Sequence, residues 1–402
     1  MIRIVYNLIS FGIQLYWWFS ALLGNQKSKN AIKGRTNWQK KLDDLNLSPN
    51  PIWVHASSHG EGLMAKPLIN QILTETDENI LMTFFSPSGF KHFNHESDRV
   101  KKLYLPLDYY SNAIKFIPLL NPKIVVFIKY DLWMNFISEI IRAEIPSFCF
   151  SIKISVDHWY LKWYGKQVRK RLKKMKCLLT LDEKSLKNLN AAGLSNVKRC
   201  GDTRYDQVSL QHNPILKNIK KPCVLLGSSW VEEEALLASV VSSFPEIQFI
   251  IAPHEVTIHR LSKIKNQFGE NCGFLSEYNS GELPRILVVD EIGLLSELYS
   301  DSDIAFIGGG YTGKLHNIIE PAAKGNMILF GPKTYHFPEA VEMEKAGFAK
   351  KITGQKELKE TIASFVSKPD ELIEMKDRSS EFVKERRGAT QLVFEELKPY
   401  LK

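Results

Sequence analysis

Asp303–Pro332, DIAFIGGGYTGKLHNIIEPAAKGNMILFGP, is the stretch from which the rest of the chain is read. Ile304–Ile307 is a short apolar run with β-branched residues, the composition of a buried strand. Gly308, Gly309 and Gly310 follow at once, where a backbone can turn sharply or approach a ligand with no Cβ in the way. His316, Asn317 and Glu320 come next, with Pro321 tolerated in the first turn of a helix. Gly325 ends that helix and Met327–Phe330 is the next strand. Strand, glycine loop, helix, strand is a βαβ unit, whose helix N-terminus is a natural anion site. Glu320 at the same place could take two ribose hydroxyls, so the set reads as a nucleotide-sugar pocket. An ordinary α/β crossover with a flexible loop would carry the same glycines.

A chain of 402 residues exceeds one ordinary core and calls for two domains. Hydrophobic content of 44% with 24% charged residues describes a folded globular protein and excludes a disordered one. The formal charge of +9 fits a partner with phosphates: nucleic acid, an anionic membrane face or a phosphorylated substrate. Cys149, Cys177, Cys200, Cys223 and Cys272 stand far apart with no CxxC pair. That argues for reduced thiols in a cytosolic setting and against a structural zinc site, so no metal is expected. P-loop, GxSxG and HExxH patterns do not occur.

Outward from the opening stretch, short apolar runs alternate with helical stretches. Ile52–His55, Ile80–Phe85, Lys102–Leu105, Ile124–Ile128, Ser147–Phe150, Cys177–Thr180 and Val197–Cys200 read as strands of a first parallel sheet. His212–Lys221 is a polar linker. Val224–Leu226, Gln248–Ala252, Ile286–Val289, Ile304–Ile307 and Met327–Phe330 then form a second sheet. The expected architecture is α/β, two doubly wound Rossmann-like domains facing a cleft, with ligands at the carboxyl ends of the strands. The expected boundaries are 1–26 for an N-terminal hydrophobic anchor, 27–211 and 212–380 for the two domains, and 381–402 for a helix, Glu381–Leu397, crossing back to the first. Ile4–Gly24 carries no charge and is about long enough to span a hydrocarbon core, with Tyr16, Trp17 and Trp18 suited to an interface. Lys27, Lys29, Lys33 and Arg35 follow it, which puts the rest of the chain on the cytoplasmic side whether the segment spans the bilayer or lies on it; a cleaved signal peptide and a buried helix are the rival readings.

Three further motifs could carry chemistry. In IWVHASSHGEG, Ile52–Gly62, a strand ends and Gly60–Glu61 opens a helix at the carboxyl edge of the first sheet. Glu61 is a candidate general base there, if burial opposes the pKa-lowering effect of the helix N-terminus. Alternatively it merely favours the helix's first turn, as Ser57, Ser58 and His59 serve turns and caps. In GSSWVEEE, Gly227–Glu234, Ser228 and Ser229 can bond phosphate oxygens or cap the following helix. In GDTRYD, Gly201–Asp206, Arg204 either reaches an acidic ligand or pairs with Asp206. The basic run KQVRKRLKKMK, Lys166–Lys176, lacks a recognition motif for nucleic acid and reads as a solvated face or one turned to anionic lipid.

Taken together these residues resemble the lipid A Kdo transferase family, GT-B glycosyltransferases that attach 3-deoxy-D-manno-octulosonic acid to lipid A precursors. The resemblance runs through Gly34-Arg35, WVHASSHGE at Trp53–Glu61, LPLD at Leu105–Asp108, DLWMN at Asp131–Asn135, GDTRYD at Gly201–Asp206 and HNIIEPAAKGNMILFGP at His316–Pro332. It implies a CMP-Kdo donor on the C-terminal domain, a lipid A precursor on the N-terminal one, and an inner-membrane location at the cytoplasmic face beside anionic lipid, with no nucleic-acid partner. Glu61 matches the family's general base for an inverting displacement, and Glu320 the carboxylate that holds the cytidine ribose. Asn317 and Gly308–Gly310 match the donor-phosphate site, with Gly227, Ser228 and Ser229 on the donor side. Ser58, His59, Gly60, Lys129, Asp131 and Arg204 are the candidate acceptor or phosphate contacts. No metal or other cofactor is implied beyond the donor itself. Two positions depart: Lys129 stands where many members carry glutamate, and Pro253-His254 where many have Arg-His, leaving His254 or Arg204 to substitute. A different GT-B transferase or epimerase, or a catalytically dead glycolipid-binding module, are the alternatives.

Overall fold

Parallel strands that are apolar on both faces need helices on both faces, and this requirement shapes each half of the chain. The computed structural model describes residues 2–129, 132–269, 272–278 and 282–401, and of residues 2–5, 8 and 9 the backbone only. It forms two compact units, residues 1–207 with 387–402, and residues 208–386.

Unit 1 holds β1 (Ile52–Ala56), β2 (Ile80–Phe84), β3 (Val100–Tyr104), β4 (Val125–Ile128), β5 (Ser147–Ile152), β6 (Cys177–Thr180) and β7 (Val197–Arg199). They pair in the order β3-β2-β1-β4-β5-β6-β7, every neighbour parallel. One face packs Trp53, Leu81 and Phe127 beneath Phe116 and Phe136, with Trp53 edge-on to all three phenylalanines. The other face packs Val54, Met82 and Val126 against Leu68, Ile72, Val393 and Phe394. Full burial of side chains this size contributes about 1.5–3 kcal/mol each.

Unit 2 repeats the plan with β8 (Cys223–Ser229), β9 (Gln248–Pro253), β10 (Cys272–Phe274), β11 (Ile286–Val288), β12 (Ile304–Ile307), β13 (Met327–Phe330) and β14 (Ala349–Lys351), ordered β10-β11-β9-β8-β12-β13-β14 and parallel. Two of these strands were not expected. β10 and β14 are three-residue edges, and Ala349–Lys351 has no apolar run because an edge strand tolerates lysines. β8 also runs on through Gly227–Ser229, expected as loop, with a register shift there and Ser228 at φ 51°. The linker is tied down by Asp301, whose carboxylate accepts the Ile215 and Leu216 N–H groups.

The expected helix Glu381–Leu397 is two helices. Pro369–Lys384 belongs to unit 2 and Ala389–Leu397 to unit 1. Gly388, at φ 100°, breaks them, a conformation that side-chain-bearing residues rarely adopt. Asp206 then caps the second helix, accepting from Gly388 N at 2.6 Å and from Thr390 N at 2.6 Å.

The N-terminal hydrophobic segment is a helix, Ile2–Leu22, and among the described residues no helix is long and apolar enough to cross a membrane. The helix turns its polar residues inward. Asn7, Ser10, Gln14 and Trp17, three or four apart, share one face with Tyr6. The Tyr6 hydroxyl donates to Asp108 Oδ2 at 2.7 Å, Asn135 Nδ2 donates to Asn7 Oδ1 at 2.9 Å, and Gln14 Oε1 accepts from the Tyr109 hydroxyl at 2.5 Å. Trp17 stacks on the Arg35 guanidinium, 4.6 Å away, which also lies over Phe85 and Tyr104. Phe11, Leu15, Trp18, Phe19 and Leu22 are left exposed. Asp108 is the hub: it also accepts the Asn135 and Phe136 N–H groups, both at 3.0 Å, which open the helix Met134–Arg142. Burial raises its carboxyl to about 6 against the pull of these donors. Asp108→Ala should therefore cost about 1–3 kcal/mol through the orphaned buried donors. Denaturant midpoints measure the loss, and amide exchange in Ile2–Leu22 should speed up more than in the sheet.

Candidate functional site

A strand order that reverses direction leaves two neighbouring loops departing to opposite faces, and ligands bind at that gap. In unit 1 the reversal lies between β1 and β4, so the loops after Ala56 and Ile128 meet there. Ser58 is the N-cap of the helix His59–Glu75, and its hydroxyl faces the Glu61 N–H at 3.4 Å. Glu61 folds back so that its Oε2 accepts the Ser57 N–H at 2.6 Å, while Oε1 lies 4.0 Å from the Lys129 ammonium. The carboxylate is buried, and burial raises its pKa, opposed by the Ser57 N–H, Lys129 and Ser58. The opposing effect a base would need at a helix N-terminus is thus present.

Lys129 is held at φ 61°, its N–H bonded to the Phe150 carbonyl at 2.7 Å. The Cys149 thiol donates to its carbonyl. His59 and Gly60 open the helix, His59 half-buried 5.9 Å from the His92 ring and Gly60 exposed. Asp131 lies outside the described residues.

Two signature residues turn out to support this loop. His55 accepts the Trp133 indole N–H on Nε2 at 2.9 Å, so its Nδ1 carries the proton and donates to Thr83 Oγ1 at 2.9 Å. Burial lowers this imidazole to about 3, which keeps it neutral. The Trp133 of the DLWMN motif is in this way fixed to the WVH strand. Nothing in the spacing of the two motifs signals the contact, because they are 78 residues apart.

Arg204 does not pair with Asp206, which is occupied with the last helix. Its Nε and Nη2 instead bond both oxygens of Asp202, at 2.7–3.1 Å. Both acids are two residues away, but Asp206 already accepts from Gly388 and Thr390, and the guanidinium fork closes on the free carboxylate of Asp202.

In unit 2 the reversal lies between β8 and β12, bringing Gly227–Trp230 beside Gly308–Gly310. The glycines are required by the chain itself. A Cβ at Gly308 would lie 2.1 Å from the Ser228 carbonyl oxygen, and Gly309, at φ 85°, would put one 2.2 Å from that of Lys314. Their N–H groups are also taken: Gly308 donates to the Gly227 carbonyl at 2.9 Å, and Gly309 to the carboxylate of Glu233 at 2.9 Å. The loop's first two amides are therefore turned to the protein rather than to a phosphate. Glu233 is fully buried, and burial raises its pKa against the surrounding backbone N–H groups. Gly310 packs on Gly331.

Ser229 does not cap the following helix. It is buried and donates to Glu234 Oε1 at 2.6 Å, while Arg260 donates to Glu234 Oε2 at 2.7 Å. The helix Val231–Val241 starts at Trp230 without a side-chain cap. Trp230 instead builds a ring stack: its indole N–H donates to His316 Nε2 at 3.0 Å, and the exposed His254 ring lies 4.6 Å from Trp230 and 4.5 Å from His316. Burial and His254 lower His316 to about 4. Asn317 bridges the following turn, accepting from Ile319 N–H at 3.0 Å and donating to Glu320 Oε1 at 2.9 Å. The helix it starts, Ile319–Ala323, has only five residues, so its macrodipole contributes little to anion binding. Burial raises the Glu320 pKa, against Asn317.

Residues 30–207 match the sequence model of the 3-deoxy-D-manno-octulosonic-acid transferase (kdotransferase) family. The chain is 27% identical over 386 residues to the 3-deoxy-D-manno-octulosonic acid transferase of Haemophilus influenzae, covering 88% of each. It is 25% identical over 345 residues to the enzyme of that name from Aquifex aeolicus, covering 84% of this chain and 92% of that one. Among solved structures, Acinetobacter baumannii MurG superimposes with TM-score 0.59 at 13% identity, over 87% of this chain and 100% of the other. The UDP-GlcNAc 2-epimerase of Neisseria meningitidis follows at TM-score 0.57, 14% identity and the same coverage. At such identities these two establish the fold, GT-B-like with two Rossmann-like domains.

Glu233→Ala should leave the Gly309 N–H buried without an acceptor, at a cost of about 1–3 kcal/mol. Hydrogen exchange at Gly309 and Tyr311 should accelerate while exchange in β1–β7 is unchanged.

Proposed function

We propose that this chain, a glycosyltransferase similar over most of its length to the Kdo transferases, moves Kdo from CMP-Kdo to a lipid A precursor such as lipid IVA. The observation that carries the mechanism is Glu61, a buried carboxylate at the β1/β4 reversal with its pKa raised by burial. In this scheme Glu61 takes the proton of an acceptor hydroxyl as that oxygen bonds to the anomeric carbon of Kdo. The bond from that carbon to the CMP phosphate breaks on the opposite side, with inversion. Lys129, 4.0 Å from Glu61, offers charge for an acceptor phosphate.

Donor binding is assigned to unit 2. Glu320 takes the ribose hydroxyls, with Asn317 orienting it. The His254 ring, supported by Trp230 and His316, stands in for the missing arginine at the phosphate or the sugar carboxylate. Leaving-group stabilisation is assigned to such groups rather than to a metal. Location at the cytoplasmic face of an inner membrane is part of the proposal, supported by the exposed rings of Ile2–Leu22, which suit a helix lying on a bilayer rather than crossing it.

Purified protein given a tetra-acylated lipid A precursor and a CMP-Kdo-generating system should increase the acceptor mass by whole Kdo units. No mass change, together with no thermal stabilisation by CMP, would refute the assignment. Glu61→Gln should lower kcat by about 10²–10⁴-fold with little change in Tm. Because a base acts deprotonated and burial raises this carboxyl, the acid limb of the kcat/KM profile should lie above the ordinary glutamate range. Glu320→Ala should abolish the CMP-induced shift in Tm, measured against UMP, GMP and ADP.

A further inference from the structure

The segment after β5 presents three rings to solvent: Trp159 is 46% exposed, Trp163 85% and Tyr164 56%. The turn that carries them is braced. Arg169, in the helix Lys166–Leu172, donates to the Tyr160 and Lys162 carbonyls, the latter at 2.7 Å. The Lys162 ammonium pairs with Asp157 at 3.0 Å. Tyr160 is buried with Trp159 edge-on to it at 4.4 Å, and a Cβ at Gly165 would lie 2.4 Å from two carbonyl oxygens of the turn. A tryptophan held outward on a rigid turn forgoes burial that a partner would supply.

Charge identifies the partner. From His158 to Leu181 the sequence holds no acidic residue, and Lys166, Lys170, Lys173, Lys174 and Lys176 are exposed. The support is shared with the N-terminal helix. Arg171 Nε donates to Ser138 Oγ at 2.8 Å on Met134–Arg142, and the Met134 N–H of that helix donates to the Tyr6 hydroxyl at 3.3 Å. Tyrosine and tryptophan rings prefer the headgroup level of a bilayer, and clustered lysines prefer anionic headgroups.

We propose that the turn Trp159–Tyr164 and the basic helix behind it form a second foothold on an anionic lipid bilayer, beside that of Ile2–Leu22. This rests on the membrane location proposed above, and its test does not depend on Kdo transfer. Full-length protein is sedimented with phosphatidylglycerol/phosphatidylethanolamine vesicles and with pure phosphatidylcholine vesicles. Trp163→Ser/Tyr164→Ser should weaken partition to both by about tenfold per ring removed. Lys166→Gln/Lys170→Gln/Lys173→Gln should weaken it by about fivefold per charge on the anionic vesicles alone, an effect erased by high salt. Transfer to detergent-dispersed acceptor should stay at the wild-type level in both variants. Wild-type partition in both variants would overturn the foothold. So would conversion of a dimer to a monomer by the aromatic variant with partition unchanged, which would make a second copy the occupant. An equal fall in detergent would overturn it as well, by making the turn part of the transfer site.

Discussion

A parallel sheet cannot return its chain through a hairpin, so each strand is followed by a crossover, and the direction of crossover must reverse once if both faces are to be covered. That reversal falls between β1 and β4 in one unit and between β8 and β12 in the other. Apart from Arg204 after β7 and His254 after β9, the candidate residues of either unit are found on the loops that part at those two places. Glu61, Ser58 and Lys129 follow β1 and β4; Trp230 and the glycine loop follow β8 and β12. The sites are consequences of winding, and the sheets beneath hold them because nearly every strand residue is buried.

Both reversals bury carboxylates, and the protein treats them differently. Glu61 keeps one oxygen on a backbone N–H and the other near an ammonium, an arrangement open to exchange with a substrate. Glu234 is locked by Ser229 and Arg260, and Glu233 by the glycine loop. Desolvation raises all three, so the difference lies in their partners. A half-exposed lysine can move away more readily than a mostly buried arginine or a loop amide.

Apolar runs four to six residues long announced most of the strands, since a core strand needs little else. The three-residue edges β10 and β14 had no such run. Candidate residues were legible where the chain places them locally, as with Glu61 in the first turn after β1. Roles decided by partners far along the chain were not: Glu233 meets Gly309, and His55 meets Trp133, across gaps no local pattern encodes. Ser229 reads from the sequence as a cap or a phosphate contact, the two local uses of serine after a strand, and its bond to a buried glutamate five residues on is a third that no local pattern shows. The composition of the N-terminal helix reads as a membrane anchor and does not announce its contacts with the rest of unit 1. Its polar residues are few, yet Tyr6, Asn7 and Gln14 on one face are all bonded inward.

The break at Gly388 makes unit 2 an insertion within unit 1. Val393, Phe394 and Leu397 cover the sheet face formed by Val54, Met82 and Val126. On a ribosome, that face stays open while all of residues 208–386 are made, for roughly ten to forty seconds at about 5–20 residues per second. Unit 2 can close before unit 1 does, reversing the usual N-to-C order of domain folding. The half-finished sheet is then the part of the nascent chain most in need of shielding, by a chaperone or by the membrane surface itself.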